Sequence, residues 1–382
     1  MANMVKPAIL SISLLVIMTG NTVSPALADI SEAFPHNSSA LIKMVLTLPS
    51  FAIIPFSFIS AHVSSFVNKR KIIIAGLVIY IIGGLSSGFS RTIYELLFFR
   101  GILGMGMGLI MPFSTSLIAD FYRGTERTVM MGLSNAVSNL GGIIATLIAG
   151  ALAIYNWRYI FIVYSIAILV LILIFWGLPE PPKKSIRDKN RYPINFKIFF
   201  VAFLAFILNI AFYSVITNMS LFIKIQNIGN SGYSGIAMSF ITLGGFISGI
   251  VLRHVSKLFK RIRVPFAVAT MSLGFLRLSY AYNLSSILIG SFMIGFGIGT
   301  LKPILFLKSA EFTPEHLNAV SISIVSNSIL LGKFVSPFFI DYLNKIFNNT
   351  SYRFIFLSMA IFLGCGAITS LLTILYCINK QH

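Results

Sequence analysis

The sequence predicts an all-α membrane protein of twelve transmembrane helices in two parallel six-helix repeats, and three observations point there. Of 382 residues, 57% are hydrophobic and only 10% charged, against roughly 25% charged in soluble domains. With a mean hydropathy of +0.90, so much apolar side chain needs a bilayer as its solvent. Lys and Arg gather in short polar gaps between apolar runs, mostly in every second gap. Finally, motifs of the first half return in the second at one fixed spacing. The same composition excludes a disordered chain, a collagen-like fibre and a disulfide scaffold. The two cysteines, Cys365 and Cys377, share one apolar run and read as helix-packing residues.

Cutting the chain at its polar interruptions gives spans 8–28, 41–62, 72–90, 93–119, 129–152, 159–178, 197–221, 235–255, 264–280, 284–308, 316–341 and 353–377, each near the 20 or so apolar residues that cross a bilayer. The first span follows Lys6 and ends in Ala26-Leu27-Ala28, a combination similar to a secretory signal and its cleavage site. It is kept as a span, because losing it leaves one repeat a helix short. Basic clusters at Lys69-Arg70-Lys71, Arg123 to Arg127 and Arg253 to Arg263 mark one side. With the N-terminus inside, 19 basic residues fall in cytoplasmic loops and 5 outside. A net charge of +19 would point to nucleic acid in a soluble protein. Here its distribution is the positive-inside pattern of a multi-pass protein of the cytoplasmic (inner) membrane, with both termini cytoplasmic and no nucleic-acid partner.

The stretch Pro179 to Lys197 holds four prolines and six basic residues and reads as a linker. It divides the chain into a bundle over 1–178, a cytoplasmic linker over 179–196 and a second bundle over 197–382. Gly104, Gly106 and Gly108 followed by Pro112 recur as Gly295, Gly297 and Gly299 followed by Pro303, an offset of 191 residues. At the same offset Asp120 meets Glu311, and Lys69-Arg70 meets Lys260-Arg261. An even number of spans in each half makes the copies parallel repeats about an axis along the membrane normal. The glycines lie inside spans, not between a strand and a helix, so a nucleotide loop is excluded. They read as seams of close helix packing, with the alternative that the prolines add a hinge.

These residues carry a family resemblance. Arg100-Gly101 followed by Gly104, Gly106 and Gly108 resembles the fourth-helix motif of major facilitator superfamily transporters. Pro25-Ala26-Leu27-Ala28-Asp29-Ile30 resembles the end of the first helix in bacterial drug-exporter members, and Asn156-Trp157-Arg158 the start of the sixth. The resemblance covers most of the first half, and the second half through the repeat. Between spans two and three, Ala61, Ser65 and Asn68 replace the family's glycine, aspartate and second glycine. In the fifth span the antiporter proline is absent, with Gly141-Gly142 as a shifted pair. The resemblance implies a transporter fold, alternating access and export of small molecules.

Charges inside spans are expensive and mark functional positions. Arg100, Lys302 and Lys333 are expected to face one cavity as substrate contacts, with a structural pairing of Arg100 to Glu95 as the alternative. Lys43 and Arg277 are expected to snorkel to the outer interface. Polar contacts to substrate are expected from Asn21, Asn135, Asn139, Asn209, Tyr213 and Asn327, although helix-helix hydrogen bonding explains such stripes as well. Lys69, Arg70, Asp120, Lys260, Arg261 and Glu311 are expected to gate the inner side. No acid lies deep in a span and all five histidines lie in loops or at span ends. Proton coupling therefore falls to Asp29, with a buried lysine as the rival.

Neither HExxH, a nucleophile-histidine set nor a phosphate loop occurs, so an enzyme is not expected, nor a metal or cofactor. A channel lacks its filter-like segment. The expected function is a monomeric secondary transporter, a proton-coupled exporter of amphipathic compounds. An organic-anion or metabolite carrier, or a non-transporting membrane sensor of the same fold, is the alternative.

Overall fold

A computed structural model describes residues 2–180, 195–259, 262–313 and 318–379. The chain divides into two compact units, Met1–Ile194 and Asn195–His382. Most of the expected linker lies outside the described residues.

In the first unit, α1 runs over Ala2–Asn21 and continues through a tight turn at Ser24–Ala26 into the short helix Leu27–Ala33. Pro25 sits inside that turn, where it supplies no N–H for a regular helical bond. Then come α2 (Ser39–Val63), α3 (Lys69–Ser86), α4 (Ile93–Phe121) and α5 (Gly124–Tyr155). The sixth, α6, is 3-10 over Trp157–Ser165 and α-helical over Ile166–Gly177. The second unit contains α7 (Lys197–Ile225), α8 (Ser231–Phe259), α9 (Arg263–Ser279), α10 (Leu284–Glu311), α11 (Asn318–Ile346) and α12 (Tyr352–Asn379). Among the described residues, eleven helices are long and apolar enough to cross a membrane. The other is α9, with 17 residues, about 26 Å at 1.5 Å per residue.

The helices outrun the expected spans because their polar ends stay helical beyond the apolar stretch. For α5 the start moves from 129 to Gly124, which opens the helix from a left-handed φ of +54°, a conformation glycine adopts without a Cβ penalty. Caps fix other starts. The Thr92 hydroxyl accepts from the Glu95 N–H at 3.2 Å, and the Glu95 carboxylate reaches back to the Arg91 N–H at 2.8 Å. At the same place in the second unit, the Asn283 side chain accepts from the Ser286 N–H at 2.9 Å. Thr92 and Asn283 are also 191 apart.

Packing repeats with the sequence. In the first unit α4 packs on α2 and α3, and α1 on α5; in the second, α10 packs on α8 and α9, and α7 on α11. A buried cluster of Val201, Ala202, Ala205, Leu305, Val325 and Ile329 joins α7, α10 and α11. Large apolar side chains such as Phe89, Phe98, Trp176 and Ile250 stay exposed, as a bilayer-facing surface requires.

Candidate functional site

Arg100 is fully buried in the first unit, and its guanidinium is spent on neighbours. Nε donates to the Val45 carbonyl at 2.8 Å, Nη1 to the Tyr164 hydroxyl at 2.7 Å and Nη2 to the Thr19 carbonyl at 2.7 Å. The two carbonyls are available for a reason. Val45 lies four residues before Pro49 in α2, and proline has no N–H to return. Thr19 lies in the last turn of α1 before it ends at Asn21, where carbonyls lose their helical partners. Arg100 thus ties α1, α2 and α6 to α4. Arg100, expected as a substrate contact, is a structural tie instead, and the alternative pairing with Glu95 does not form, because Glu95 caps its own helix. Lys43, expected at the interface, is instead buried at 1% exposure; Arg277 is exposed beside Leu276 and Tyr280.

The second unit holds a different kind of charge. Lys302 of α10 and Lys333 of α11 are both half-buried. The Lys302 ammonium stands 5.2 Å from the Phe212 ring centroid and that of Lys333 stands 4.9 Å from the Tyr213 ring. Phe212 and Tyr213 are adjacent on α7, both buried, with centroids 5.5 Å apart in an edge-to-face pair. Among the described residues, no carboxylate forms an ion pair with either lysine. The backbone delivers them. At Gly332 a Cβ would stand 2.5 Å from the Phe206 carbonyl and 3.2 Å from the Asn209 Cβ, and the Ser336 hydroxyl donates to the Ile210 carbonyl at 2.8 Å. This close seam of α11 on α7 sets Lys333 over Tyr213. One turn below Lys302, Leu305 and Phe306 anchor α10 on the same helix. Asn209, four residues before Tyr213, donates to the Ala205 carbonyl at 2.8 Å, while its buried Oδ1 has no hydrogen-bond partner.

The glycines sit where backbones meet. A Cβ at Gly104 would stand 2.6 Å from the Pro49 carbonyl, at Gly106 2.5 Å from the Tyr80 nitrogen and at Gly108 2.9 Å from the Ile53 carbonyl. Alternate glycines of α4 therefore face α2, α3 and α2 again. In α10 the Ile241 carbonyl crowds Gly295, the Ala267 carbonyl lies 2.7 Å from the Gly297 position and the Gly245 Cα 2.7 Å from that of Gly299, alternating between α8 and α9. Pro112 and Pro303 follow inside the same helices.

The family model of the Major Facilitator Superfamily matches residues 9–337. The chain belongs to the major facilitator superfamily. Multidrug transporter protein MdtP of Bacillus subtilis is 28% identical over 153 residues, which are 40% of this chain and 26% of that protein. Quinolone resistance protein NorB of Staphylococcus aureus is 30% identical over 193 residues, 48% of this chain and 38% of that one. The matched part spans less than half the length of these relatives. Among solved structures, a point mutant of the nucleoside transporter NupG superposes with a TM-score of 0.79 at 10% identity, covering 96% of this chain and 99% of that one. A D-xylose-proton symporter gives 0.75 at 15% identity, covering 96% of each chain.

Within this superfamily member the remaining expected residues scatter. Lys69 and Asp120 form an ion pair at 2.6 Å inside the first unit, where the Lys69 N–H also donates to the Glu180 carboxylate at 3.0 Å. Arg70 donates to the Phe175 carbonyl and stacks over its ring. Glu311 pairs with Lys308 at 2.5 Å on its own helix; Lys260 and Arg261 lie outside the described residues. Asn135 is exposed and accepts, through its carbonyl, a 2.8 Å bond from the half-buried Asn139 side chain. The serines of the same stripe bind α1: Ser134 meets the Ser13 hydroxyl at 2.6 Å and Ser138 donates to the Ser13 carbonyl at 2.7 Å. Asn21, Asn327 and Asp29 are half-buried, Asp29 in the first turn of the short helix that ends α1. Among the described residues, no group of three or more His, Cys, Asp or Glu could hold a metal.

Sequence reasoning missed a corner shared by both units. Arg158 donates to the Ser90 carbonyl at 2.7 Å over the Trp157 ring, and Arg353 donates to the Ala281 carbonyl at 2.8 Å over the Tyr282 ring. Ser90 and Ala281 keep the offset of 191, but 191 beyond Arg158 stands Asn349. A slip of four residues hides the equivalence.

Proposed function

We propose that the chain is a secondary transporter of the cytoplasmic membrane that exports amphipathic small molecules by alternating access, as a monomer, in exchange for protons. The match across residues 9–337 carries the transporter reading. Export rests on relatives named for multidrug transport and quinolone resistance. The amphipathic substrate rests on the lysine and aromatic cluster of the second unit, which offers cations beside apolar rings. In this reading Lys302, Lys333 and Tyr213 touch substrate, with Asn209 and Asn327 of the same unit as polar contacts, while Arg100 holds the first unit together. Lys69, Arg70, Asp120 and Glu311 brace the basic-loop ends of α3, α4 and α10 and gate that side.

Proton exchange is assigned to Asp29, the acid closest in sequence to the break in α1, with a half-buried lysine as the rival. Purified protein in liposomes with an imposed pH gradient tests the whole reading against a panel of anionic, neutral and cationic amphipaths. We expect accumulation of at least one compound that collapses with the gradient, and in Asp29→Asn exchange that persists without the gradient's drive. No gradient-dependent flux for any compound refutes proton-coupled export. Gradient drive that survives in Asp29→Asn but is lost in Lys302→Gln, while Lys302→Gln still exchanges substrate across the membrane without a gradient, moves the proton to lysine.

A further inference from the structure

Among the described residues, Lys302 and Lys333 are half-buried cations inside spans that face rings and pair with no carboxylate. Arg100 finds two orphaned carbonyls and a hydroxyl, Lys69 finds Asp120, and Lys308 finds Glu311. Lys302 and Lys333, by contrast, face rings. A ring face supplies about 0.5–2 kcal/mol to a cation, less than the roughly 2.5–3.5 kcal/mol that a charge costs at the centre of a spanning helix on insertion scales. Repulsion between two like charges placed over adjacent residues of one helix adds to the deficit.

An anion lying between the two ammoniums removes both costs at once. It accepts charge-assisted hydrogen bonds from each lysine, and such bonds are roughly twice as strong as neutral ones. The Phe212 and Tyr213 rings, set edge to face beneath the ammoniums, offer an apolar wall to whatever the anion is attached to. An inorganic ion would use the lysines and leave that wall idle. An aromatic or alkyl anion uses both.

We propose that Lys302 and Lys333 form an anion-binding pair, and that the exported substrates are amphipathic organic anions whose acidic group lies between the two ammoniums and whose apolar part lies against Phe212 and Tyr213. The proposal rests on the exporter reading for its direction of transport, but not for its binding chemistry.

Three naphthalene probes separate charge from shape: naphthalene-2-sulfonate, its uncharged sulfonamide, and a naphthylmethyl-trimethylammonium cation. The sulfonate stays ionised at every working pH, so its binding cannot be confused with passive entry of a neutral acid. Equilibrium binding to the full chain in lipid nanodiscs is measured first, then flux in liposomes under a pH gradient. We expect saturable sulfonate binding at least tenfold tighter than that of the sulfonamide or the cation. Lys302→Gln and Lys333→Gln each weaken sulfonate binding tenfold or more and narrow its margin over the sulfonamide, whereas Lys333→Arg retains most of it.

Equal binding of the three probes to the unmodified chain overturns the proposal, and this needs no variant to fold. So does sulfonate binding that is indifferent to both Gln substitutions. Sulfonate binding without any gradient-driven flux keeps the anion pair and refutes the exporter reading. Gradient-driven flux of the cation alone keeps the exporter reading and refutes the anion pair.

Discussion

A guanidinium at zero exposure is tolerable when every face of it has a partner, and Arg100 meets that condition with groups that carry no charge. Its acceptors are two carbonyls that the backbone cannot otherwise satisfy and one phenol. Arg100→Met leaves those acceptors without their donor, at about 1–3 kcal/mol for each buried group left unpaired. We expect a loss on the order of 3 kcal/mol, read as a lower thermal midpoint of the purified protein, and a smaller loss for Tyr164→Phe, which removes one of the three acceptors of the guanidinium and a 3.4 Å bond to the Thr19 carbonyl. Arg100→Lys is expected to fall between wild type and Arg100→Met, since an ammonium lacks the planar fork that reaches α1, α2 and α6 together. The importance of Arg100 was legible in the sequence from its position inside a span. Its partners were not, because backbone carbonyls have no letter, although Pro49 already announced that the carbonyl of Val45 was free. Glu95 is the wrong partner for a local reason: three residues after Thr92 it serves the helix start. Lys43 departs from expectation likewise, since a long stem near a span end permits snorkelling without requiring it.

At the scale of elements, the glycine seams decide how closely α4 and α10 approach their neighbours. Gly104→Val and Gly106→Val push a branched side chain into the backbones of α2 and α3, and the seam has no flexible side-chain end to yield. Overpacking of this kind costs about 1–3 kcal/mol or more, so we expect both variants to reach the membrane at strongly reduced levels in quantitative blots. Gly101→Ala is the matched control: nothing lies within 4 Å of its Cβ position, and removing a helical glycine gains up to about 1 kcal/mol. Equal expression of Gly101→Ala and Gly106→Val would contradict the seam. This part of the fold was largely readable, because close approach demands a particular residue type and so leaves a trace at fixed offset. The arginine corners at Arg158 and Arg353 were not readable in that way, since a loop that differs by four residues breaks the register while the geometry survives it.

For the whole molecule, the bias of basic residues predicts sidedness. In a background lacking Cys365 and Cys377, a cysteine at Asn283 is expected to react with an impermeant maleimide in intact cells, and one at Glu180 only after the membrane is opened. Reaction at Glu180 in intact cells would reverse the orientation. Comparing the halves residue by residue also shows where they have parted. The position 191 beyond Arg100 is Ser291, whose buried hydroxyl has no partner, whereas the counterpart of the glycine at Gly83, crowded by Leu103, is Gly274, crowded by Ile294. A gene duplication would have begun with two equivalent copies of each position. In the present chain both copies carry the spacing glycines, while only the first carries the arginine knot. Substitution at Ser291 is therefore expected to be borne more readily than at Arg100, where altering one side chain unties four helices.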